Sequence, residues 1–342
     1  MQYRVSVVGV MFELLNFKAT QVWLAPMSGA TDAPFRRQAL EFGADAVVSE
    51  MTASEQLLAE RPDVVRRACR PDAHSPWIVQ LAGRRPEHML GAARLMAEAG
   101  VDMVDINMGC PARKVTGGLS GSALMREPDL ADEIIEATLE GAGEVPVSLK
   151  MRLGWDDDSL NAPDLARRAE AAGIKLLTVH GRTRCQFYKG EADWARISET
   201  VEAVDLPVIA NGDIGSLDEA REALALSGAD AVMLGRAAVG RPWLPAQISA
   251  GLAGQAFEVP DAARRLESLL AQLADAAELY GPALGVRICR KHISAAVLDA
   301  PLEMSPQVRR ETQSRLCQIS GLEELQLALT AMFLRQPTDK VA

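Results

Sequence analysis

The chain has 342 residues, of which 48% are hydrophobic and 24% charged, and its formal net charge is −10. That length allows one barrel-sized domain of about 250 residues with a smaller unit beside it. The acidic balance argues against a general nucleic-acid binder, whose domain would be basic. Five cysteines (69, 110, 185, 289 and 317), odd in number and without CxxC spacing, argue against a disulfide framework or a zinc site and point to a reducing cytoplasm.

Residues 1–20 read as an N-terminal extension and lead-in. Their apolar patch, 5–15, is interrupted by Glu13 and followed by no small-residue cleavage site, so it is not read as a signal peptide, and Met11 is an alternative start. No later stretch approaches a transmembrane span. From Val22 onward eight short apolar runs follow one another: 22–25, 46–49, 77–81, 103–106, 147–149, 176–179, 208–210 and 231–234. Helix-patterned stretches such as 86–99, 128–139, 162–172 and 217–226 lie between them, and several end at a glycine suited to a helix C-cap (Gly100, Gly173, Gly228). Continuous apolar strands joined by helices mean a parallel sheet buried on both faces. Eight such units predict an α/β fold, a TIM (β/α)8 barrel over residues 21–252.

The alternation stops near residues 255–260. A leucine stripe at 266, 269, 270 and 273 predicts a helix ended by Gly281-Pro282, and further helices are expected over 286–298, 306–319 (Ser305 as N-cap, Pro306 at N1) and 322–334. This is a small all-helical domain, 255–335. Residues 255–342 hold 10 Lys and Arg against 11 Asp and Glu, leaving 26 against 35 before them. The acidity therefore belongs to the barrel, and composition permits a basic face on the helical part.

The residues that end the apolar runs carry the chemistry. They are Pro26-Met27, Glu50, Gln80, Asn107, Lys150, His180, Asn211-Gly212-Asp213 and Gly235-Arg236. In a barrel these converge on the C-terminal rim, and the loops after the last two strands, NGDIGS and GRAAVGRPW, suit a phosphate. The fourth rim loop, residues 105–124, reads DINMGCPARKVTGGLSGSAL and is too rich in Gly and Pro for a regular element. Its thiol, Cys110, is followed by Arg113 and Lys114, whose charge would lower a thiol's pKa; a thiol can equally serve as a positioned proton donor. Singly, each residue has a plainer reading: a structural cysteine, a lysine paired with a carboxylate, a satisfied strand-end histidine, turn-building Asn211 and Asp213, or solvated Arg182, Arg184 and Lys189.

Together the segments LAPMSGATDAPFR, SEMT, VQLAG, DINMGCPARKVTGG, GSALMR, SLKMRLGW, TVHGRTRCQFYKGEADW, IANGDI and VMLGRAAVGRPW resemble the tRNA-dihydrouridine synthases, most of all the bacterial B-type subfamily. The resemblance runs from about residue 22 to residue 243. It continues more weakly into the helical domain, where Arg290-Lys291-His292 matches a family RKH element. It implies NADPH-driven, FMN-dependent reduction of the C5=C6 bond of a D-loop uridine in tRNA. Hydride would reach C6 from the flavin and a proton C5 from Cys110. FMN would be held by Pro26, Met27, Ser28, Gln80, Lys150, His180, Asn211, Gly212, Asp213, Gly235 and Arg236, with Cys110, Lys150 and His180 as the catalytic groups. Asn107, Arg152, Arg182, Arg184, Lys189, Arg290 and Lys291 would contact the substrate or the tRNA backbone, with the helical domain gripping the RNA. A monomer without metal or membrane attachment is expected. Two other readings are an FMN-dependent dehydrogenase of a free pyrimidine, which would have little use for a helical domain, and a non-catalytic RNA-binding barrel, against which intact Cys110, Lys150 and His180 argue.

Overall fold

The computed structural model describes residues 22–72, 75–117 and 120–334. The lead-in 1–20, Gly118 of the fourth rim loop and the side chain of Lys114 lie outside the described residues. Among the described residues nine parallel strands form one sheet: β1 (Val22–Leu24), β2 (Ala46–Val47), β3 (Thr52–Ala53), β4 (Ile78–Ala82), β5 (Met103–Met108), β6 (Val147–Arg152), β7 (Leu176–His180), β8 (Val208–Asn211) and β9 (Ala231–Leu234). Their order is β2-β1-β9-β8-β7-β6-β5-β4-β3. The two ends meet where Val48 bridges Ile78 and the Ser49 amide donates to the Ile78 carbonyl at 3.0 Å. The sheet thereby curls into the expected TIM barrel.

The expected second strand is divided. Residues 46 and 47 pair with β1, whereas residues 52 and 53 pair with β4. Between them the Glu50 carbonyl accepts from the hydroxyls of Ser49 (3.0 Å) and Thr52 (3.2 Å). A carbonyl bonded to side chains leaves the ladder, and the chain changes neighbours there. Two other strands outrun their apolar stretches by more than a single residue: β5 continues through Asn107 to Met108 and β6 through Lys150 to Arg152.

Alternation explains how. Side chains of successive strand residues face opposite sides. Trp23, Ala25, Ala46, Val48, Ile78, Met103, Leu176, Ile209, Ala231 and Met233 form one buried cluster inside the barrel. The residues between them, such as Val79, Val104, Leu177 and Val208, join the larger core beneath the surrounding helices. Counting on by twos from the interior set reaches Gln80, Asp105, Asn107, Thr178, His180 and Asn211. The interior is thus apolar at the strand starts and polar toward the C-terminal mouth.

Four helices follow the barrel: Ala262–Tyr280, Pro282–Leu298, Pro306–Gln318 and Leu322–Phe333. Asp261 and Ser305 cap the first and third by accepting from Arg264 N (2.8 Å) and Val308 N (3.3 Å). Their core is built on Leu266, Leu269, Leu273, Val286, Ile293, Leu316, Leu325, Leu329 and Phe333. Polar contacts join this unit to the barrel helix Ala33–Glu41: Arg37 pairs with Asp275 at 2.5 Å, and Ser268 Oγ donates to Gln38 Oε1 at 2.8 Å. Gly240, with φ +74°, lies on the same seam, and a Cβ there would stand 2.7 Å from the Ala295 side chain and the Ala296 backbone.

Gly240→Val would impose both a forbidden φ and a backbone clash. We expect a loss of about 2–4 kcal/mol in urea denaturation, with the helical unit separating from the barrel.

Candidate active site

The polar layer is one hydrogen-bonded chain running across three neighbouring strands. In register, Gln80 lies beside Asp105 and Asp105 beside Ser148. Ser148 Oγ donates to one Asp105 oxygen (2.6 Å) and Gln80 Nε2 to the other (2.7 Å). Burial raises the Asp105 pKa, against which these two hydrogen bonds act. The far end of the Gln80 amide accepts from Asn107 Nδ2 at 2.7 Å. Asn107 Oδ1 then receives the backbone amides of Gly109 (3.2 Å) and Cys110 (3.0 Å).

The loop carrying Cys110 is fixed on its other side as well. Ser122 donates to the Cys110 carbonyl through both its amide (3.1 Å) and its hydroxyl (2.9 Å). Arg152 Nε donates to the Gly109 carbonyl at 2.7 Å. The thiol is partly buried, and burial raises its pKa against the opposing pull of the Ala112 amide and the Arg152 charge. This corrects the expected lowering by Arg113, while the expected part of Lys114 lies outside the described side chains. Arg113 is exposed and is not among the groups acting on the thiol. A thiol in this setting keeps its proton at neutral pH, as a donor must.

Cations surround the opposite wall. Lys150 Nζ donates to Asn211 Oδ1 at 2.8 Å, and Asn211 is held in turn by the Met233 carbonyl (2.8 Å). No other described residue accepts from Lys150. Burial, helped by the Arg152 charge, lowers the lysine to about 8. Burial and the charges of Lys150, Arg152, Arg182 and Arg236 hold His180 well below the usual imidazole range, so its ring is neutral. Gly212, at φ +119°, lets the backbone pass this ring, because a Cβ there would stand 2.7 Å from His180 Cδ2. Asp213 binds two arginines, the Arg182 guanidinium through both oxygens and Arg236 Nη2 at 3.0 Å. Burial would raise its carboxyl, but the Arg182 hydrogen bond and the neighbouring charges prevail and lower it.

Several expected surface contacts are corrected by this geometry. Arg182 is only 1% exposed and is occupied by Asp213 and the carbonyls of Lys189 (3.2 Å) and Gly190 (2.6 Å). Arg152, equally buried, serves Gly109 and the carbonyls of Thr183 and Phe187 (2.9 Å each). Both are enclosed within the mouth rather than displayed on the surface. Arg184 lies over Trp155 (4.5 Å) and Phe187 (4.7 Å), with Arg126 on Trp155 at 3.9 Å. Tyr188, 55% exposed, lies near Arg152 and Arg236. Lys189 is exposed, while Arg290 is half-buried. Met27 Sδ lies 3.7 Å from the Cβ position of Gly235; Pro26 is half-buried and Ser28 exposed. Asp105, Ser148, Arg126 and Trp155 were not expected in the site. Asp105 had a signal, since a charge two residues from both Met103 and Asn107 in one strand must share their side.

Comparison with known proteins fits this arrangement. The family described as "Dihydrouridine synthase (Dus)" matches residues 23–333. The chain belongs to the dihydrouridine synthase family. It is 52% identical over 285 residues to a probable tRNA-dihydrouridine synthase of Rhodobacter capsulatus, covering 82% of this chain and 88% of that one. It is 44% identical to tRNA-dihydrouridine synthase B of Xanthomonas axonopodis pv. citri, covering 83% and 85%. This dihydrouridine synthase is therefore an oxidoreductase that reduces uridine in tRNA. Among solved structures, it resembles 6-hydroxypseudooxynicotine amine oxidase of Pseudomonas geniculata N1 (TM-score 0.52, 16% identity, 75% of this chain and 49% of that one). It also resembles histamine dehydrogenase of Rhizobium sp. 4-9 (TM-score 0.50, 13% identity, 74% and 48%). At those identities the likeness is one of fold. Among the described residues no group of three His, Cys, Asp or Glu could hold a metal ion, and no helix is long and apolar enough to cross a membrane.

Because burial raises the Cys110 thiol, its alkylation by iodoacetamide should be slow at pH 7. The rate should climb with a midpoint above the ordinary thiol value of about 8.5. Peptide mapping across a pH series checks this, and a midpoint below 8 would contradict it.

Proposed function

We propose that the enzyme reduces a D-loop uridine of tRNA at the barrel mouth, using FMN reduced by NADPH, with Cys110 as the proton donor. The observation that carries this reading is the convergence of a protonated, rigidly held Cys110 and a cationic wall of Lys150, Arg152, Arg182 and Arg236 around neutral His180. The donor set fits a flavin: Arg236, 62% exposed with N–H groups beyond its Asp213 contact, and the uncovered backbone of Gly235 beside it suit the phosphate, while two Lys150 N–H groups, without an acceptor among the described residues, suit the ring. Pro26, Met27, Ser28, Gln80, Lys150, His180, Asn211, Gly212, Asp213, Gly235 and Arg236 would hold the cofactor between them. When bound, reduced FMN would supply the hydride that adds to C6 of the uracil.

The chain's own residues do the rest. The C4 carbonyl polarises the C5=C6 bond, so hydride at C6 leaves negative charge that must be met by a proton at C5. Cys110 Sγ–H holds that proton, and Asn107, Ser122 and Arg152 fix the backbone from which it is offered. Lys150 places positive charge and free donors where an anionic ring edge would lie. The uridine must leave its stack, which costs a few kcal/mol offset by contacts in the pocket and along the RNA. Arg184, Lys189 and Arg290 on the rim and the helical unit are the residues proposed for those RNA contacts.

The purified protein is expected to be yellow with noncovalent FMN. Arg236→Ala should weaken FMN affinity about tenfold by removing a charge-assisted phosphate contact, as read by fluorescence titration. A colourless protein indifferent to added FMN would sink the flavin reading.

In Cys110→Ala, NADPH should still bleach the flavin, while dihydrouridine formation in tRNA falls by about two to four orders of magnitude. Near-normal product, measured by mass spectrometry of digested tRNA, would remove Cys110 as the acid.

A further inference from the structure

Arg290 and Lys291 of the RKH element were expected on the RNA side. The structure turns Lys291, with His292, toward the barrel, onto the first rim loop. That loop is a tight turn: the amides of Ala30 and Thr31 both donate to the Met27 carbonyl (2.9 and 3.0 Å), and Met27 N donates to Thr31 Oγ1 at 2.7 Å. Its apex, Gly29, has φ +73°. From the barrel side the buried carboxylate of Glu50 accepts the Gly29 amide. From the helix Pro282–Leu298, Lys291 Nζ stands 2.9 Å from where a Gly29 Cβ would be, so the ammonium occupies the space that only glycine leaves open. The neighbouring His292 is buried and neutral, its pKa lowered to about 3 by burial. Its Nε2–H donates to the Ala30 carbonyl at 3.0 Å, and its ring lies 4.3 Å from that of Phe35.

We propose that Lys291 and His292 are positioning residues that hold loop 27–31, and with it Met27 and Ser28, in the shape that the flavin site requires, and that Lys291 acts on this loop rather than on RNA. The inference rests on the flavin reading above. Physically, Glu50 is buried and its carboxyl is raised, with the Gly29 amide and the charges of Arg67, Arg36 and Lys291 opposing that rise. A carboxylate withdrawn from water needs such partners to stay ionised, and an ionised Glu50 grips the Gly29 amide harder than a neutral one. The helical unit thereby contributes to a site whose other residues all belong to the barrel. Gly29 and Lys291 should accordingly behave as a coupled pair, although 262 residues separate the adjoining partners Ala30 and His292.

The test uses the full chain, FMN as titrant and tRNA at saturating FMN. Lys291→Met should raise the FMN dissociation constant about fivefold, the scale of losing one partly exposed charge contact. Lys291→Arg should restore most of the affinity, and Gly29→Ala should weaken it by at least as much because its Cβ displaces the ammonium. In Lys291→Met the tRNA affinity and its salt slope should stay at the wild-type values. Unchanged FMN affinity in Lys291→Met, with a tRNA salt slope reduced by about one, would overturn the proposal and return Lys291 to the RNA surface. Unchanged FMN affinity with an unchanged slope would overturn it equally. Wild-type protein that binds no FMN would show that the flavin reading itself had failed, and the proposal would fall with it.

Discussion

A carboxylate inside a barrel must be supplied with donors or give up its charge, and Asp105 imposes that demand on its neighbours. Ser148 and Gln80 meet it, and meeting it fixes them. Gln80, once turned to give its amide hydrogen to Asp105, presents its oxygen to Asn107; Asn107 then presents its own oxygen to the amides of Gly109 and Cys110. The orientation of the thiol-bearing backbone is thus inherited, one amide at a time, from a charge on the strand that leads into it, relayed through the neighbouring β4. Parallel register makes this dependable. A one-residue slip of β5 would turn Asp105 and Asn107 outward together and bring Val104 and Ile106 into the mouth.

The opposite wall follows a complementary rule. Burial, reinforced by the positive groups crowded there, keeps an imidazole neutral, and Asp213 relieves only part of that crowding. Its two arginines are not equivalent. Arg182 is enclosed and committed to main-chain carbonyls, whereas Arg236 stays largely in solvent. A single carboxylate therefore anchors a structural cation and also holds a recruitable one at the same rim.

Much of this could be read from the residues alone, because it depends on local pattern. The eight apolar runs, the glycines that close the helices, Pro306 behind Ser305, and the polar residues ending each run all placed the barrel, its mouth and the helical unit. Strand ends were misjudged for a physical reason: Asn107, Lys150 and Arg152 look like loop residues by polarity, yet they continue their strands because the interior near the mouth is polar. The fates of Arg152 and Arg182 were not legible either. An arginine is buried or exposed according to the carbonyls and carboxylates that fold around it, and those of Arg182 include Asp213, 31 positions away. The division of the second strand at Glu50 and the reach of Lys291 toward Gly29 depend similarly on contacts between distant segments.

The contrast between the acidic chain and its cationic mouth has a further consequence for how a polyanion arrives. A molecule with a formal charge of −10 repels RNA at long range from most directions of approach, while four cations grouped around His180 form a local region of the opposite sign. Such a surface does not bind RNA generally. It filters orientations, discouraging encounters with the barrel's flanks and favouring those that bring a strand to the barrel mouth. Raising the ionic strength would then weaken repulsion and attraction together, blurring where the RNA lands as well as how long it stays.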